Sequence, residues 1–242
     1  MRPVIFFLFL VLISAISNAE TYVVCVGIGH YADPKVSNLA KTENDAKAMA
    51  AFYKKGTANV ELIIGSSATK KQILRTLASQ FSRAEAGDRI VFFFSGHGYP
   101  GGFCPYDMSR MEDGLTYAEV ISVMKRSEAK NKFIFADACN SGSIRQSDSS
   151  SKPQPGNVML FLSSRSGESS IESPFMANGY FTKYLLRGLR GGADENSDRK
   201  ITASELFKFV SRGVILQSGD RQHPVMWGNF DNDLVVVSYG RK

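Results

Sequence analysis

Two side chains with catalytic chemistry, His97 and Cys139, each follow a short apolar run. The runs are RIVFFFSGHG, residues 89–98, and KFIFADACNSG, residues 132–142. Each predicts a buried parallel strand that breaks into a glycine-containing turn. Ligands bind beyond the carboxyl ends of parallel strands, where the strand order reverses, so we expect imidazole and thiol to meet there. Because a cysteine attacks as its thiolate and needs a nearby base, the pair predicts nucleophilic catalysis.

The rest of the chain alternates strand-like and helix-like segments. Apolar runs predict strands over residues 21–28, 60–64, 90–94, 133–136, 158–162 and 234–237, and helical periodicity predicts helices over roughly 44–54, 70–84, 117–125, 180–189 and 203–216. Three helices begin with capping-box patterns, Thr69-x-x-Gln72, Thr116-x-x-Glu119 and Thr202-x-x-Glu205. This order predicts an α/β fold in three layers, with about six mostly parallel strands between helices.

The N-terminus has the pattern of a secretory signal peptide. Arg2 precedes an apolar stretch and the small-residue site Ser17-Asn18-Ala19, so we expect cleavage after Ala19. The alternative is an uncleaved membrane anchor, but the run is short for a span of about 20 residues. We therefore expect residues 20–242 to form a single domain that is secreted or periplasmic, with no stable membrane anchor after cleavage.

The charge pattern argues against a nucleic-acid partner. The formal net charge is +6, but basic and acidic residues are interleaved, which is typical of a solvated surface and predicts no nucleic-acid partner. The sequence leaves the oligomeric state open and favours a monomer.

The chain has three cysteines, an odd number for an exported protein. Cys25 lies within an apolar strand and is predicted to be a small core residue. A disulfide between Cys104 and Cys139 is an alternative to a reactive Cys139 thiol.

The motifs around His97 and Cys139 resemble those of the caspase/metacaspase superfamily of cysteine peptidases. Ser-Gly-His-Gly follows one strand and Asp-Ala-Cys-x-Ser-Gly the next, and weaker similarities are Val26-Gly27-Ile28, Asn44-Asp45-Ala46 and Gln222-His223-Pro224. The resemblance spans nearly the whole mature chain and is closer to bacterial metacaspase-like members than to animal caspases.

The resemblance implies a role for each matching residue. Cys139 would be the nucleophile, His97 the general acid/base, and the backbone N–H groups of Gly98 and Cys139 the oxyanion hole. The acidic pocket for the residue before the scissile bond would be formed by Asp45, Ser95 and Asp137.

Two carboxylates in one pocket favour a cationic side chain, so we expect cleavage of peptides and proteins after Arg or Lys. Simpler roles remain open for both carboxylates. Asp137 could hold its turn by accepting backbone hydrogen bonds, and Asp45 could complement a helix dipole.

Residues 141–156, SGSIRQSDSSSKPQPG, form a polar stretch that predicts a mobile surface loop. The simpler interpretation is a flexible connector. Because the loop holds Arg145 and Lys152 just after Cys139, self-cleavage at either residue is the alternative hypothesis.

The chemistry requires no cofactor, but calcium is a candidate ligand. The segment DENSDRKITASE has the spacing of an EF-hand loop, with candidate ligands Asp194, Asn196, Asp198, Lys200 (through its carbonyl), Thr202 and Glu205. Arg199 occupies the position that favours glycine, so we favour a plain acidic loop before a capped helix. Metacaspases often bind calcium elsewhere, where this chain offers only Asp107 and Asp113.

The sequence thus predicts an exported cysteine endopeptidase with a Cys139–His97 dyad and a preference for basic residues. The alternatives are a caspase-fold peptidase with another specificity and a catalytically silent module that binds peptides or partners.

Overall fold

The computed structural model describes residues 19–138, 158–164, 178–228 and 230–239. Its centre is a six-stranded sheet in the order β10-β8-β7-β3-β1-β2. The strands are β1 (Thr21–Gly27), β2 (Val60–Ile64), β3 (Arg89–Ser95), β7 (Asn131–Asp137), β8 (Val158–Leu162) and β10 (Val225–Trp227). The first five are parallel, and β10 pairs antiparallel with β8. The predicted mostly parallel sheet is confirmed.

The sixth strand of this sheet is not the one that the sequence predicts. The apolar run at 234–237 becomes β11 (Val235–Ser238), which pairs with β9 (Lys200–Thr202) in a separate two-stranded sheet. The edge position is taken by β10, a three-residue strand that contains Trp227. A strand so short has no periodicity to detect, so its place depends on pairing with β8.

Helices cover both faces of the sheet. One hydrophobic cluster lies under α2 (Lys70–Phe81) and α3 (Tyr117–Arg126), and the other under α1 (Thr42–Tyr53), α4 (Tyr180–Arg187) and α5 (Ala203–Ser218). Side chains of each strand alternate between them, since Val24 and Val26 face the first cluster whereas Val23 and Cys25 face the second. The three-layer α/β/α arrangement is confirmed.

Helix starts agree closely with the capping patterns. Complete capping boxes form at Thr116 with Glu119 and at Thr202 with Glu205. At Thr69 only half of the box forms, because Thr69 accepts the Gln72 amide while the Gln72 side chain donates to Thr76.

A small antiparallel sheet follows the histidine. It consists of β4 (Gly98–Tyr99), β5 (Gly102–Phe103) and β6 (Leu115–Thr116), in that order. Within the described ranges, no helix is long and apolar enough to cross a membrane. The predicted signal peptide lies outside them, apart from Ala19.

Gly27 permits the close approach of β1 to α1. A Cβ added there would lie 2.6 Å from the Thr42 carbonyl oxygen and 2.9 Å from the Glu43 Cα. Because these are backbone atoms of a packed helix, we expect Gly27→Ala to lower the free energy of unfolding by about 1–3 kcal/mol. Urea denaturation measures the loss, and Gly87→Ala is the matched control because its Cβ would meet nothing within 4 Å. Equal stabilities of the two variants would contradict the prediction.

Candidate active site

The parallel register of β3 and β7 aligns the ends of the two strands that precede His97 and Cys139. Ser95 pairs with Asp137, the last residue of each strand, and the Gly96 amide donates to the Asp137 carbonyl at 3.2 Å. His97 follows Ser95 by two residues, as Cys139 follows Asp137. The strand order reverses between β1 and β3, so the ends of β1, β3 and β7 form the crevice that such sheets offer to ligands. Cys139 itself lies outside the described residues, and Ala138 is the last residue before it.

The His97 ring is oriented by a carbonyl group that the sequence did not predict. Its Nε2 lies 2.8 Å from the Ser37 carbonyl oxygen and 3.3 Å from Ser37 Oγ. A carbonyl only accepts, so this contact assigns the proton to Nε2. In the neutral ring, Nδ1 is then the nitrogen that can accept a proton.

Tyr31 fixes the backbone of the same histidine. The His97 amide donates to the Tyr31 hydroxyl at 2.7 Å, and the two rings lie 5.2 Å apart between centroids. Tyr31 is 9% exposed, so this contact is held within the core at the end of β1.

The turn that leads to Cys139 is held by Ser163. Its hydroxyl accepts the Ala138 amide at 3.1 Å and donates to the Ala138 carbonyl at 3.0 Å. The fully buried Gln222 donates to the Ser163 carbonyl at 2.9 Å. Both backbone polar groups of Ala138, the last described residue before Cys139, are therefore bonded to the Ser163 side chain.

The three residues predicted for the acidic pocket come together beneath this crevice. The Ser95 hydroxyl donates to Asp45 Oδ2 at 3.0 Å, and Asp137 lies close enough to Asp45 to affect its pKa. Asp45, Ser95 and Asp137 are 2%, 1% and 6% exposed. The structure thus places two carboxyl groups and one hydroxyl at a single buried position.

Both carboxylates also receive hydrogen bonds from the start of α4. Asp45 Oδ1 accepts from Asn178 Nδ2 at 2.8 Å and from the Gly179 amide at 3.2 Å. Asp137 Oδ2 accepts from the Thr182 hydroxyl at 2.8 Å and from its amide at 3.1 Å. Because Gly179 offers the helix no side-chain cap, the two aspartates satisfy its first amides. This role at the start of α4 is additional to the simpler roles considered from the sequence, since Asp45 also lies in the first turn of α1.

Burial raises the pKa of Asp45 well above its ordinary value, and the neighbouring Asp137 raises it further. The hydrogen bonds from Asn178, Ser95 and Gly179 oppose this rise without cancelling it. Asp45 therefore holds a proton at pH values where an exposed aspartate has lost it, and a cation that enters the pocket would displace that proton.

The acidic loop satisfies its own backbone. Asp194 accepts the amides of Asp198 and Arg199, Asp198 accepts the Lys200 amide, and Glu205 accepts those of Thr202 and Glu195. Arg199 adopts a left-handed conformation, with φ 66°, although it is not a glycine. In the part of the chain that the structure describes, no group of three or more His, Cys, Asp or Glu side chains is placed to hold a metal ion. Calcium binding by Asp194, Asn196, Asp198, Lys200 (through its carbonyl), Thr202 and Glu205 stays an alternative to the plain acidic loop that the sequence favours.

Asp107 and Asp113 also bond to neighbouring backbone. Asp107 accepts the Lys70 amide at the start of α2, and Asp113 accepts the Arg110 amide. The prediction that Cys25 is a core residue is confirmed, since it is fully buried in β1. The Cys104–Cys139 disulfide and self-cleavage at Arg145 or Lys152 each involve residues outside the described ranges.

Comparison with known proteins identifies the family. Residues 21–235 match the caspase domain family of peptidases. The chain belongs to this family. Its fold and the cysteine peptidase class that the sequence predicted are those of caspase domains.

Individual relatives are more distant. A probable protease of a Desulfuromonadales bacterium is 27% identical over 177 residues, which is 61% of this chain and 22% of the relative. The caspase-domain chain therefore spans about a fifth of the length of that relative.

Two solved structures share the fold. Protein GSU0716 from Geobacter sulfurreducens has a TM-score of 0.65 at 18% identity, over 88% of this chain and 95% of that one. The structure of pro-sf-caspase-1 has a TM-score of 0.63 at 14% identity, over 90% and 94%.

Proposed function

We propose that this caspase-domain protein is an exported endopeptidase that cleaves after Arg or Lys through a Cys139–His97 dyad. The observation that carries the proposal is the register of β3 and β7, which pairs Ser95 with Asp137, two residues before His97 and Cys139 in the sequence. The Ser95 hydroxyl also donates to the buried Asp45 carboxyl group.

The chemical steps follow from the orientation of His97. With Nε2 donating to the Ser37 carbonyl, Nδ1 takes the proton of the Cys139 thiol, and the thiolate attacks the scissile carbonyl carbon. The N–H groups of Gly98 and Cys139 would bind the oxyanion. His97 then protonates the leaving amine, and water activated by the same ring hydrolyses the thioester.

The aspartate pair supports the preference for basic residues. A guanidinium group at Asp45 and Asp137 would make charge-assisted hydrogen bonds in a site shielded from water. An acidic side chain there would add negative charge to a site that already disfavours the ionisation of Asp45, which is unfavourable.

Export is proposed from the N-terminal pattern alone, and the proposed substrate is a peptide or protein outside the cytoplasm. The proposed mechanism uses side chains and backbone amides of the chain, and no step passes through calcium.

The proposal is tested with two fluorogenic peptides that carry Arg or Asp before the scissile bond. We expect turnover of the Arg peptide by the mature chain, a loss of at least about 10³-fold in Cys139→Ala, and near-normal turnover by Cys104→Ala, since removing a nucleophile eliminates the covalent route. A preference for the Asp peptide would overturn the pocket assignment. No turnover of either peptide, in reducing buffer and with or without calcium, would instead favour a binding module.

A further inference from the structure

A cavity of about 720 Å³ lies at the end of the molecule opposite to the dyad. Its floor includes Thr21 and Arg89, the first residues of β1 and β3, and its walls come from the end of α1 and from β11. Both strands have seven residues, so about 20 Å separates the cavity from the catalytic edge. The proposed peptidase mechanism does not use this cavity.

Three cationic side chains line the cavity, namely Lys55, Arg89 and Arg190, and the described lining residues include no carboxylate. Within the described ranges, none of the three forms an ion pair. Three cations that line one cavity without a described counter-charge make its interior attractive to an anion.

Two buried polar groups of the same lining also lack partners. Arg89 Nε and the Tyr239 hydroxyl are inaccessible to solvent and have no hydrogen-bond partner in the described structure. Each such group costs free energy until an acceptor or donor reaches it, and a charged group costs more than a neutral one. An acceptor group of a ligand that reached either of them would remove that cost.

The electrostatic environment agrees with this placement. Burial raises the pKa of Tyr53, another lining residue, and Arg89 lies near enough to oppose part of that rise. Burial also raises the pKa of Tyr239, with a smaller contribution from Asp194, which is outside the lining. The charge of Arg89 therefore acts on at least one other residue that lines the cavity.

The remaining lining is apolar and includes Phe52, Val91 and Val236. The cavity also has the size of known small-molecule sites, which measure about 300–1,000 Å³. We propose that it binds a small amphipathic anion, with a carboxylate or phosphate held by Arg89, Arg190 and Tyr239 and an apolar body packed against Phe52 and Val91.

Calorimetric titration of the mature chain tests this site without reference to peptidase activity. The probes are octanoate, octyl phosphate, inorganic phosphate, octanol and octylamine. We expect saturable binding of octanoate or octyl phosphate and none of octylamine or octanol. The stronger of the two anions identifies the headgroup, and inorganic phosphate shows whether the apolar body is required.

Variants then locate the site. Arg89→Gln and Arg190→Gln are each expected to weaken binding at least about tenfold, because hydrogen bonds to charged groups contribute about 1.5–3 kcal/mol. Arg190 is exposed, so its variant tests the site even if Arg89→Gln does not fold. Lys71→Gln, which removes a positive charge from α2 on the other face, is the control. Absence of saturable binding, equal binding of octanol, or unchanged affinity in both arginine variants would overturn the proposal.

Discussion

Replacement of His97 by alanine is expected to lower kcat/KM for an Arg peptide by about 10³-fold or more. The imidazole has two tasks in the proposed reaction, since it removes the thiol proton and later protonates the leaving amine, and general acid–base catalysis contributes about 10²–10⁴-fold. The partners of His97 are the Ser37 carbonyl and the Tyr31 hydroxyl. Neither group can take over the proton transfers of the lost imidazole.

The measurement is steady-state kinetics on both peptides, with circular dichroism to verify folding. His30→Ala is the matched control, because His30 is exposed and comes three residues after the end of β1, at the same edge of the sheet as His97. The double variant His97→Ala/Cys139→Ala should be no slower than either single variant, since residues that act as a unit are not additive. A His97→Ala enzyme with near-normal activity would refute the dyad.

Replacement of Asp45 by asparagine is expected to separate specificity from stability. Asparagine keeps the acceptor for Asn178 and Gly179 and can donate to the Ser95 hydroxyl, but it carries no charge. Loss of a charge-assisted bond to the substrate guanidinium should lower kcat/KM for Arg peptides by roughly 10–100-fold, mainly through KM.

The same variant should be less active than the wild type but, above about pH 4, more stable than the wild type. The unfolded chain ionises Asp45 near the ordinary aspartate pKa of about 3.9. In the folded chain, burial and Asp137 raise the pKa of Asp45. The contribution of Asp45 to the free energy of unfolding is therefore fully present below about pH 3.9 and is lost as the pH rises through its pKa in the folded chain. Asparagine does not titrate, so the variant should become more stable than the wild type across that window, by at most about 1.4 kcal/mol per pH unit.

Denaturation between pH 4 and pH 8 measures this difference. Glu43→Gln is the control, because Glu43 lies in the same first turn of α1 but forms only a partly exposed ion pair with Lys47. A variant that loses stability at every pH would show that Asp45 is ionised in the free protein and serves mainly to hold α4. Unchanged kinetics would remove Asp45 from the substrate pocket.

Much of the fold was predictable because its signals are local. The five parallel strands are apolar runs that pair with their neighbours in register. Helices α2, α3 and α5 begin directly after the threonines of the predicted capping boxes. The same locality places Ser95 and Asp137 two residues before His97 and Cys139 in the sequence, and the register of β3 and β7 pairs Ser95 with Asp137.

The contacts that complete the site are not local. Tyr31 and Ser37 lie 66 and 60 residues from His97, and Gly179 lies 134 residues from Asp45. Nothing in a stretch of sequence indicates which distant amide a carboxylate will accept. The uncapped glycine at the start of α4 was the only local sign that another segment had to supply acceptors.

The sequence by itself determined the residues that could react and the strands that carry them, because apolar periodicity and caps are encoded over a few residues. Tertiary structure decided the rest, including the place of β10, the separate pairing of β11 and the tautomer of His97. It also buried two aspartates against α4 and placed three cations, which form no ion pair with the described residues, at the far end of the sheet. The physical reason is that burial and charge depend on which segments pack together, and only the folded chain specifies that.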